Sequence, residues 1–154
     1  MLQFIASLLK SKSKPKIKIA HSILGQLQLE QGAKGPYWLR EAYQVGELTL
    51  SLETVGETPP SDAQAKFFQW VNNDLEEIYK ASASNLESRH QGMQRKPVHV
   101  DWHRTFRLVG ISVPLEGNRL LPWDITFECL TDNSCYLYTC HFENGSLTHV
   151  AVDT

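Results

Sequence analysis

The chain has no long apolar segment, few cysteines and none of the short motifs that identify a reaction. No stretch of its 154 residues approaches the ~18 apolar residues that span a bilayer, so we do not expect an integral membrane protein. Gly-x-Ser-x-Gly, phosphate-binding glycine-loop, His-Glu-x-x-His and Cys-x-x-Cys patterns are absent. The hydrolase, nucleotide-binding and zinc-ribbon classes that carry these motifs therefore have no support.

The three cysteines argue against a disulfide-stapled secreted domain. An odd number cannot pair completely, and without a signal-peptide pattern we expect reduced thiols and a cytoplasmic location. Cys129 and Cys140 fall on the apolar sides of predicted strands and should be buried, whereas Cys135 lies at a turn and should be exposed. Cys140 and His141 are neighbours on a strand and point to opposite faces, so they form no catalytic pair. Nucleophilic catalysis is therefore not favoured.

Acidic residues are missing from the start of the chain. The first 21 residues carry five lysines and no Asp or Glu, whereas the remainder carries 10 basic and 17 acidic residues, a net charge of −7. An acidic body would repel nucleic-acid phosphates but would attract a cationic protein. We therefore expect a basic protein partner and no nucleic acid.

The basic leader has an apolar beginning. Met1–Leu9 can form two amphipathic turns that precede the lysines, which is the reverse of the order in a secretory signal. We predict a partly disordered or short-helical leader over residues 1–21 and a single domain over residues 22–154. Residues 1–18 are interpreted either as a solubilising terminus or as a weak contact with an anionic membrane surface.

Hydropathy of period two predicts strands in the N-terminal half. Residues 25–30 alternate strictly, residues 37–43 follow a turn at Gly32–Pro36, and residues 47–53 place Leu48, Leu50 and Leu52 on one face. Connections this short allow only antiparallel neighbours.

The pattern changes to a helical period after Pro60. Ser61 followed by Gln64 is a capping-box signature, and Phe67, Val71, Leu75 and Ile78 recur at helical spacing. A single long helix is predicted from Ser61 to about Leu86.

Four further strands are predicted in the C-terminal half, and the last two are joined by an Asn144-Gly145 hairpin turn. The complete order is β-β-β-α-β-β-β-β. The fold class is therefore predicted as α+β, with a curved antiparallel sheet of about seven strands packed on one long α-helix.

One segment could bind a metal ion. On an extended chain His99, Asp101 and His103 project to the same side, which would present two imidazoles and a carboxylate to Zn²⁺ or Fe²⁺. The alternative is a polar loop with solvated histidines. A metal-dependent enzyme or metal-binding protein that uses these three residues is the second hypothesis for function.

Several segments together resemble a family of small uncharacterised bacterial α+β proteins. They are the lysine-rich leader, Leu24-Gly25-Gln26-Leu27, Tyr37-Trp38, the strand at residues 47–52, the helix that follows prolines, and the closing hairpin through residues 123–153. Some members of the family are regarded as immunity-type proteins of polymorphic toxin systems. The resemblance implies the same fold and the neutralisation of a basic toxin-like effector, and it assigns no functional residue.

The favoured hypothesis is a non-enzymatic, cytoplasmic, protein-binding module with an acidic surface. It needs no cofactor, and we assign no catalytic residue. The expected contact residues combine carboxylates with aromatic interface anchors. They are Trp38, Glu41, Glu76, Glu77 and Trp102.

Overall fold

The computed structural model describes residues 15–132 and 135–153. These residues form one eight-stranded sheet and two α-helices. The strands are β1 (Lys18–His21), β2 (Gly25–Gly32), β3 (Gly35–Arg40), β4 (Thr49–Glu53), β5 (Phe106–Val113), β6 (Trp123–Cys129), β7 (Leu137–Glu143) and β8 (Ser146–Asp153). The helices are α1 (Asp62–Asn73) and α2 (Leu75–Gln94). No helix in this part of the chain is long and apolar enough to cross a membrane.

The strands lie in the sheet in the same order as in the sequence. All neighbours are antiparallel except β4 and β5, which are parallel. The predicted α+β class is confirmed, but the wholly antiparallel arrangement is wrong at this pair. The segment that joins β4 to β5 contains both helices, and a connection of that length lets the chain return in the same direction.

The additional strand is β1, at the end of the stretch assigned to the basic leader. Lys18–His21 pairs antiparallel with β2, with Ile19 opposite Leu27. The sheet therefore begins before residue 22. Residues 1–14, the larger part of the predicted leader and of its membrane contact, lie outside the described residues.

The first helix begins with the predicted capping box. The Ser61 hydroxyl accepts a hydrogen bond from the Gln64 amide, and the Gln64 side-chain oxygen accepts one from the Ser61 amide, both at 3.2 Å. Gln64 is buried, and its side-chain amide donates to the carbonyls of Glu53 and Pro114. One residue thus fixes the helix start against the ends of the two parallel strands, β4 and β5.

The predicted single helix is two helices that meet at Asp74. Asp74 has φ −108° and ψ 21°, outside helical values, and its backbone amide closes α1 by donating to the Trp70 carbonyl. The second helix continues to Gln94, beyond the predicted end near Leu86. The apolar spacing continues across Asp74 without interruption, which is why the pattern indicated a single helix.

Both helices pack on one face of the sheet, which we call the inner face. Phe67 of α1 contacts Trp123 edge to face at 5.2 Å, and Tyr79 of α2 contacts Phe127 at 6.1 Å. The opposite side is the outer face, and no element in the described part of the chain packs over it. Alternation along each strand places the large apolar side chains inside and leaves mainly polar groups outside.

Candidate functional site

The outer face carries an open groove over the N-terminal half of the sheet. A cavity of about 590 Å³ is lined by residues of β1–β3 and by the β3–β4 connection. Most of the strand residues face outward, but Leu27 and Arg40 face the inner side, and the Arg40 guanidinium lies over the Phe68 ring. We call it the outer-face groove. Its floor includes Gln28 and Leu39, which are directly opposite each other on β2 and β3. Pockets of a few hundred Å³ are the size that binds a small ligand or anchors a partner's side chain.

The β3–β4 connection forms one wall of this groove. The Glu47 carboxylate accepts hydrogen bonds from the backbone amides of Tyr43 and Gln44, at 2.8 and 3.1 Å. These bonds hold the connection in a defined turn although it projects from the sheet. Tyr43 and Val45 are nevertheless 85% and 91% exposed, so an aromatic and an aliphatic side chain are held out to solvent beside the groove.

The charged side chains at or near the groove differ in whether they already bind another group of this chain. Glu41 lines it and makes no ion pair or hydrogen bond within residues 15–132 and 135–153. The Arg40 guanidinium donates to the Leu24 carbonyl at 2.8 Å, and burial lowers the pKa of this side chain. Lys16 is paired with Glu30 at 2.6 Å. Glu41 is therefore a carboxylate still available to a partner.

A second cavity of about 560 Å³ adjoins the first, since Leu39 lines both. Tyr37, Ser51, Glu53 and Ser112 line this part of the outer face. Cysteine and histidine are absent from the described side chains that line the two cavities. The surface thus offers apolar contact and carboxylates, the groups that bind a partner, and it lacks a thiol or imidazole that could serve as nucleophile or base.

Only Glu41 of the five predicted contact residues lies at this groove. Trp38 is 1% exposed, so its predicted role as a surface anchor is wrong. It faces the core opposite Leu29 and Leu52, and its indole donates to the Thr58 carbonyl at 2.7 Å. Burial and this bond make Trp38 a core residue that also holds the chain before α1.

Glu76, Glu77 and Trp102 lie in the helical layer, away from the groove. Trp102 is buried, and its indole donates to the Glu76 carboxylate at 3.0 Å while His103 contacts the other oxygen at 2.6 Å. Hydrogen bonds from Trp102 and His103 lower the pKa of Glu76. Glu77 is exposed and pairs with Lys80 on the same helix at 2.6 Å. These contacts attach the segment after α2 to the helix and leave Trp102 unable to anchor a partner.

The segment from His99 to His103 is not a straight strand. Residues 102–104 form a short 3-10 turn capped by Asp101, whose carboxylate accepts from the His103 amide at 3.3 Å. The imidazole of His99 accepts from the Asp101 amide, and that of His103 contacts Glu76. Nowhere in residues 15–132 and 135–153 do three or more His, Cys, Asp or Glu side chains form a group that could hold a metal ion. The metal hypothesis required His99, Asp101 and His103 to project to one side of an extended strand, and the structure does not have this arrangement.

The cysteines lie where the strand pattern predicted them. Cys129 and Cys140 are buried and Cys135 is exposed. Burial raises the pKa of the Cys140 thiol to about 12 and also raises that of Cys129. Neither buried thiol is poised to act as a nucleophile at neutral pH.

The residues that form the outer-face groove were largely missed from the sequence. Leu39 belongs to the run Tyr37-Trp38-Leu39, in which all three side chains are apolar. Alternation of polar and apolar residues is absent here, so the hydropathy pattern does not show which side chains face the core. The informative signal lay in the loop, where Tyr43 and Val45 stand among turn residues and Glu47 can cap the turn.

Comparison with known proteins adds no assignment. No protein-family model, curated protein or solved structure matches this chain.

Proposed function

We propose that this chain is a non-enzymatic protein-binding module that receives a basic partner at the outer-face groove. The observation that carries the proposal is the pairing of an uncovered groove with an exposed aromatic loop. The groove supplies Leu39 as an apolar floor and Glu41 as a free carboxylate, and the loop supplies Tyr43 at its rim.

The exposed loop supports protein binding more than small-molecule binding. Tyr is enriched among the few residues that dominate interface energies, because it buries a large apolar area and retains a polar end. Val45 beside it is among the most exposed aliphatic side chains in the described residues. A groove that is open to solvent and flanked by a projecting loop suits a partner's surface or loop.

Charge favours a basic partner. Residues 15–132 and 135–153 carry 12 Lys and Arg against all 17 Asp and Glu, a net charge of −5. At the groove Glu41 makes no ion pair within these residues, and of the nearby cations Arg40 is engaged by a carbonyl and Lys16 by Glu30. Lys18 also lines the groove and makes no ion pair there, so the preference for a basic partner depends on the net negative charge of the described residues as a whole. Complementary charge chiefly accelerates association, and its effect weakens as salt is added.

The resemblance described above supplies the class of partner. An immunity-type protein binds a toxin-like effector and blocks it, so a basic effector from the same bacterium is the partner that we propose. The partner would meet the N-terminal half of the sheet and leave the helical layer free. Trp102, Glu76 and Glu77 are not part of this surface.

Site-specific photo-crosslinking in the native host tests the proposal. A photoreactive phenylalanine analogue replaces Tyr43 in one chain and Val100 in a matched control, since Val100 is 99% exposed and lies beyond α2. We expect one discrete basic protein to be crosslinked from position 43 and not from position 100. The yield should fall several-fold when salt is raised from about 0.05 to 0.5 M, because the Debye length shortens to a few Å.

A second variant shows whether the crosslink reports the groove. Leu39→Lys places a charge on the groove floor, and Leu39 is only half-buried, so the fold should survive. We expect the crosslink at position 43 to be lost. Equal crosslinking from positions 43 and 100, or a yield indifferent to salt and to Leu39→Lys, would contradict the proposal.

A further inference from the structure

The two edges of the sheet differ in how well they are protected from pairing with another strand. The edge strand β1 is short, carries Lys18 and follows Pro15 and Lys16, which are features that discourage strand addition. The other edge strand, β8, spans eight residues from Ser146 to Asp153 and contains neither lysine nor proline. Within the described residues β8 pairs only with β7, so the backbone groups on its other edge are available.

A groove runs along this free edge between β8 and α2. Two overlapping cavities of about 630 and 390 Å³ lie against Thr148–Val152 on one side and against Asn85–Met93 on the other. Ser88 and Gly92 are small residues on the helical wall, so an added backbone could approach closely. We call this the edge groove.

Arg89 gives the edge groove a charge preference. It lines both cavities, is exposed, and makes no ion pair or hydrogen bond within the described part of the chain. Met93 lies one helical turn further along and is 44% exposed. The wall therefore offers a cation and, beside it, an apolar side chain.

We propose that the edge groove binds an extended, acidic peptide segment of another protein, which adds to β8 as a ninth strand. Backbone hydrogen bonds to the edge of β8 would supply sequence-independent affinity, and the side chains of α2 would supply specificity. The site is separate from the outer-face groove and does not depend on the function proposed there.

The spacing of the helical wall defines the peptide. Arg89 and Met93 are four residues apart, which is about 6 Å along a helix and close to the ~6.8 Å that separates alternate residues of an antiparallel strand. Residue numbers rise in the same direction along α2 and β8, since Asn85 lies near Thr148 and Met93 near Val152. A peptide antiparallel to β8 would therefore read apolar-x-acidic from its N-terminus.

A second copy of this chain fits the edge groove less well. Antiparallel pairing of β8 with β8 of another copy would centre near Val150 and bring the two Arg89 side chains toward each other. Like charges at such a contact are unfavourable. Asp153 cannot neutralise the two Arg89 side chains. It lies opposite Leu137 of β7 and therefore on the outer face, whereas α2 and Arg89 cover the inner face.

The test uses two synthetic heptapeptides and the full chain labelled with ¹⁵N. One peptide is acetyl-Thr-Thr-Val-Thr-Glu-Thr-Thr-amide, and the control carries Lys in place of Glu. We expect the acidic peptide to shift the amide resonances of residues 148–152 and 85–93, with a Kd below about 1 mM. The control should bind at least about tenfold more weakly, as expected for loss of a charge-assisted hydrogen bond. Equal binding of the two peptides, or shifts confined to other residues, would overturn the proposal.

Two variants separate loss of binding from loss of folding. A Cβ atom at Gly92 would meet nothing within 4 Å, so Gly92→Arg should fold and fill the edge groove. We expect it to abolish the shifts, while Ser84→Arg, exposed elsewhere on α2, should leave them unchanged. Arg89→Gln should remove the preference for Glu over Lys. Two results would show that something else occupies the edge groove and would overturn the proposal. One is a chain that sediments as a dimer and becomes a monomer when Gly92→Arg is introduced. The other is protection from hydrogen exchange of the β8 edge amides in the free monomer.

Discussion

The outer face of the sheet differs in character between β6 and β3. On β6 every outward-facing side chain between Trp123 and Cys129 is joined to a neighbouring strand. The three pairs are Asp124–His141 at 2.5 Å, Thr126–Thr139 at 3.1 Å and Glu128–Arg107 at 2.5 Å. On β3 the outward-facing Tyr37 and Leu39 make no such bond within the described residues, and Leu39 instead lines two cavities.

The difference distinguishes a surface that is complete from one that is open to a partner. Cross-strand pairs contribute modestly to the stability of a sheet, and they leave few polar groups free for another molecule. Where such pairs are missing and an apolar side chain forms the floor of a groove, contact with a partner can stabilise the surface instead. The proposed basic partner would therefore meet β1–β4, whereas the outer face of β5–β7 is closed by its own side-chain pairs.

The largest expected effect concerns the inner face, where the two halves should be alike. Leu50 on β4 and Ile125 on β6 are both fully buried in one core cluster. Leu50→Ala and Ile125→Ala should each lower the free energy of unfolding by about 2–5 kcal/mol in urea titrations. Leu39→Ala, on the half-open outer face, should cost less than about 1 kcal/mol. A Leu50→Ala cost as small as that of Leu39→Ala would mean that the N-terminal strands do not share the core.

Much of the fold followed from local patterns in the sequence. The capping box at Ser61 and Gln64, the alternation in β6, and the Asn144-Gly145 turn all depend on short-range chemistry that the structure retains. The strand β1 was missed because Lys18 continues the alternating lysines of the leader. The parallel pairing of β4 with β5 depends on how two distant strands meet, and no local pattern specifies that.

The candidate site was harder to predict because it depends on burial. Trp38 and Trp102 are large aromatic residues, the type enriched among interface anchors. Their exposure is decided by distant partners, the Thr58 carbonyl for Trp38 and the Glu76 carboxylate for Trp102. Glu41 lies at the outer-face groove, and its role as a contact residue stays a prediction.

A smaller effect tests whether the pairs on β6 stabilise the sheet. Arg107 contacts Glu128 through Nη2 at 2.5 Å and Nε at 3.2 Å, and both side chains are about a third exposed or less. A double-mutant cycle of Arg107→Ala and Glu128→Ala should give a coupling of about 0.2–1 kcal/mol in urea titrations. The matched cycle of Leu39→Ala and Ser51→Ala, directly opposite residues on β3 and β4, should give a coupling near zero. Equal couplings would remove the contrast between the two halves.

The smallest effect is a pH dependence in the layer above β5–β8. His90 of α2 is 1% exposed and packs on Phe106 and Tyr138, while its Nδ1 donates to the Lys96 carbonyl at 3.1 Å. Burial lowers the pKa of His90, and this effect outweighs the hydrogen bond to Lys96 and the charge of Asp132, which oppose it. The folded chain therefore holds this imidazole neutral at pH values where the unfolded chain protonates it.

Unfolding consequently takes up a proton as the pH falls below the ordinary histidine pKa of about 6.5, and the free energy of unfolding should fall with it. His90→Phe should remove part of this slope in urea titrations between about pH 7.5 and 5.5, a window above the ordinary pKa of carboxylates. His149→Ala, a change at an exposed imidazole on β8, is the control and should preserve the part of the slope due to His90. An unchanged slope in His90→Phe would show that α2 is not held over this half of the sheet by a neutral, buried histidine.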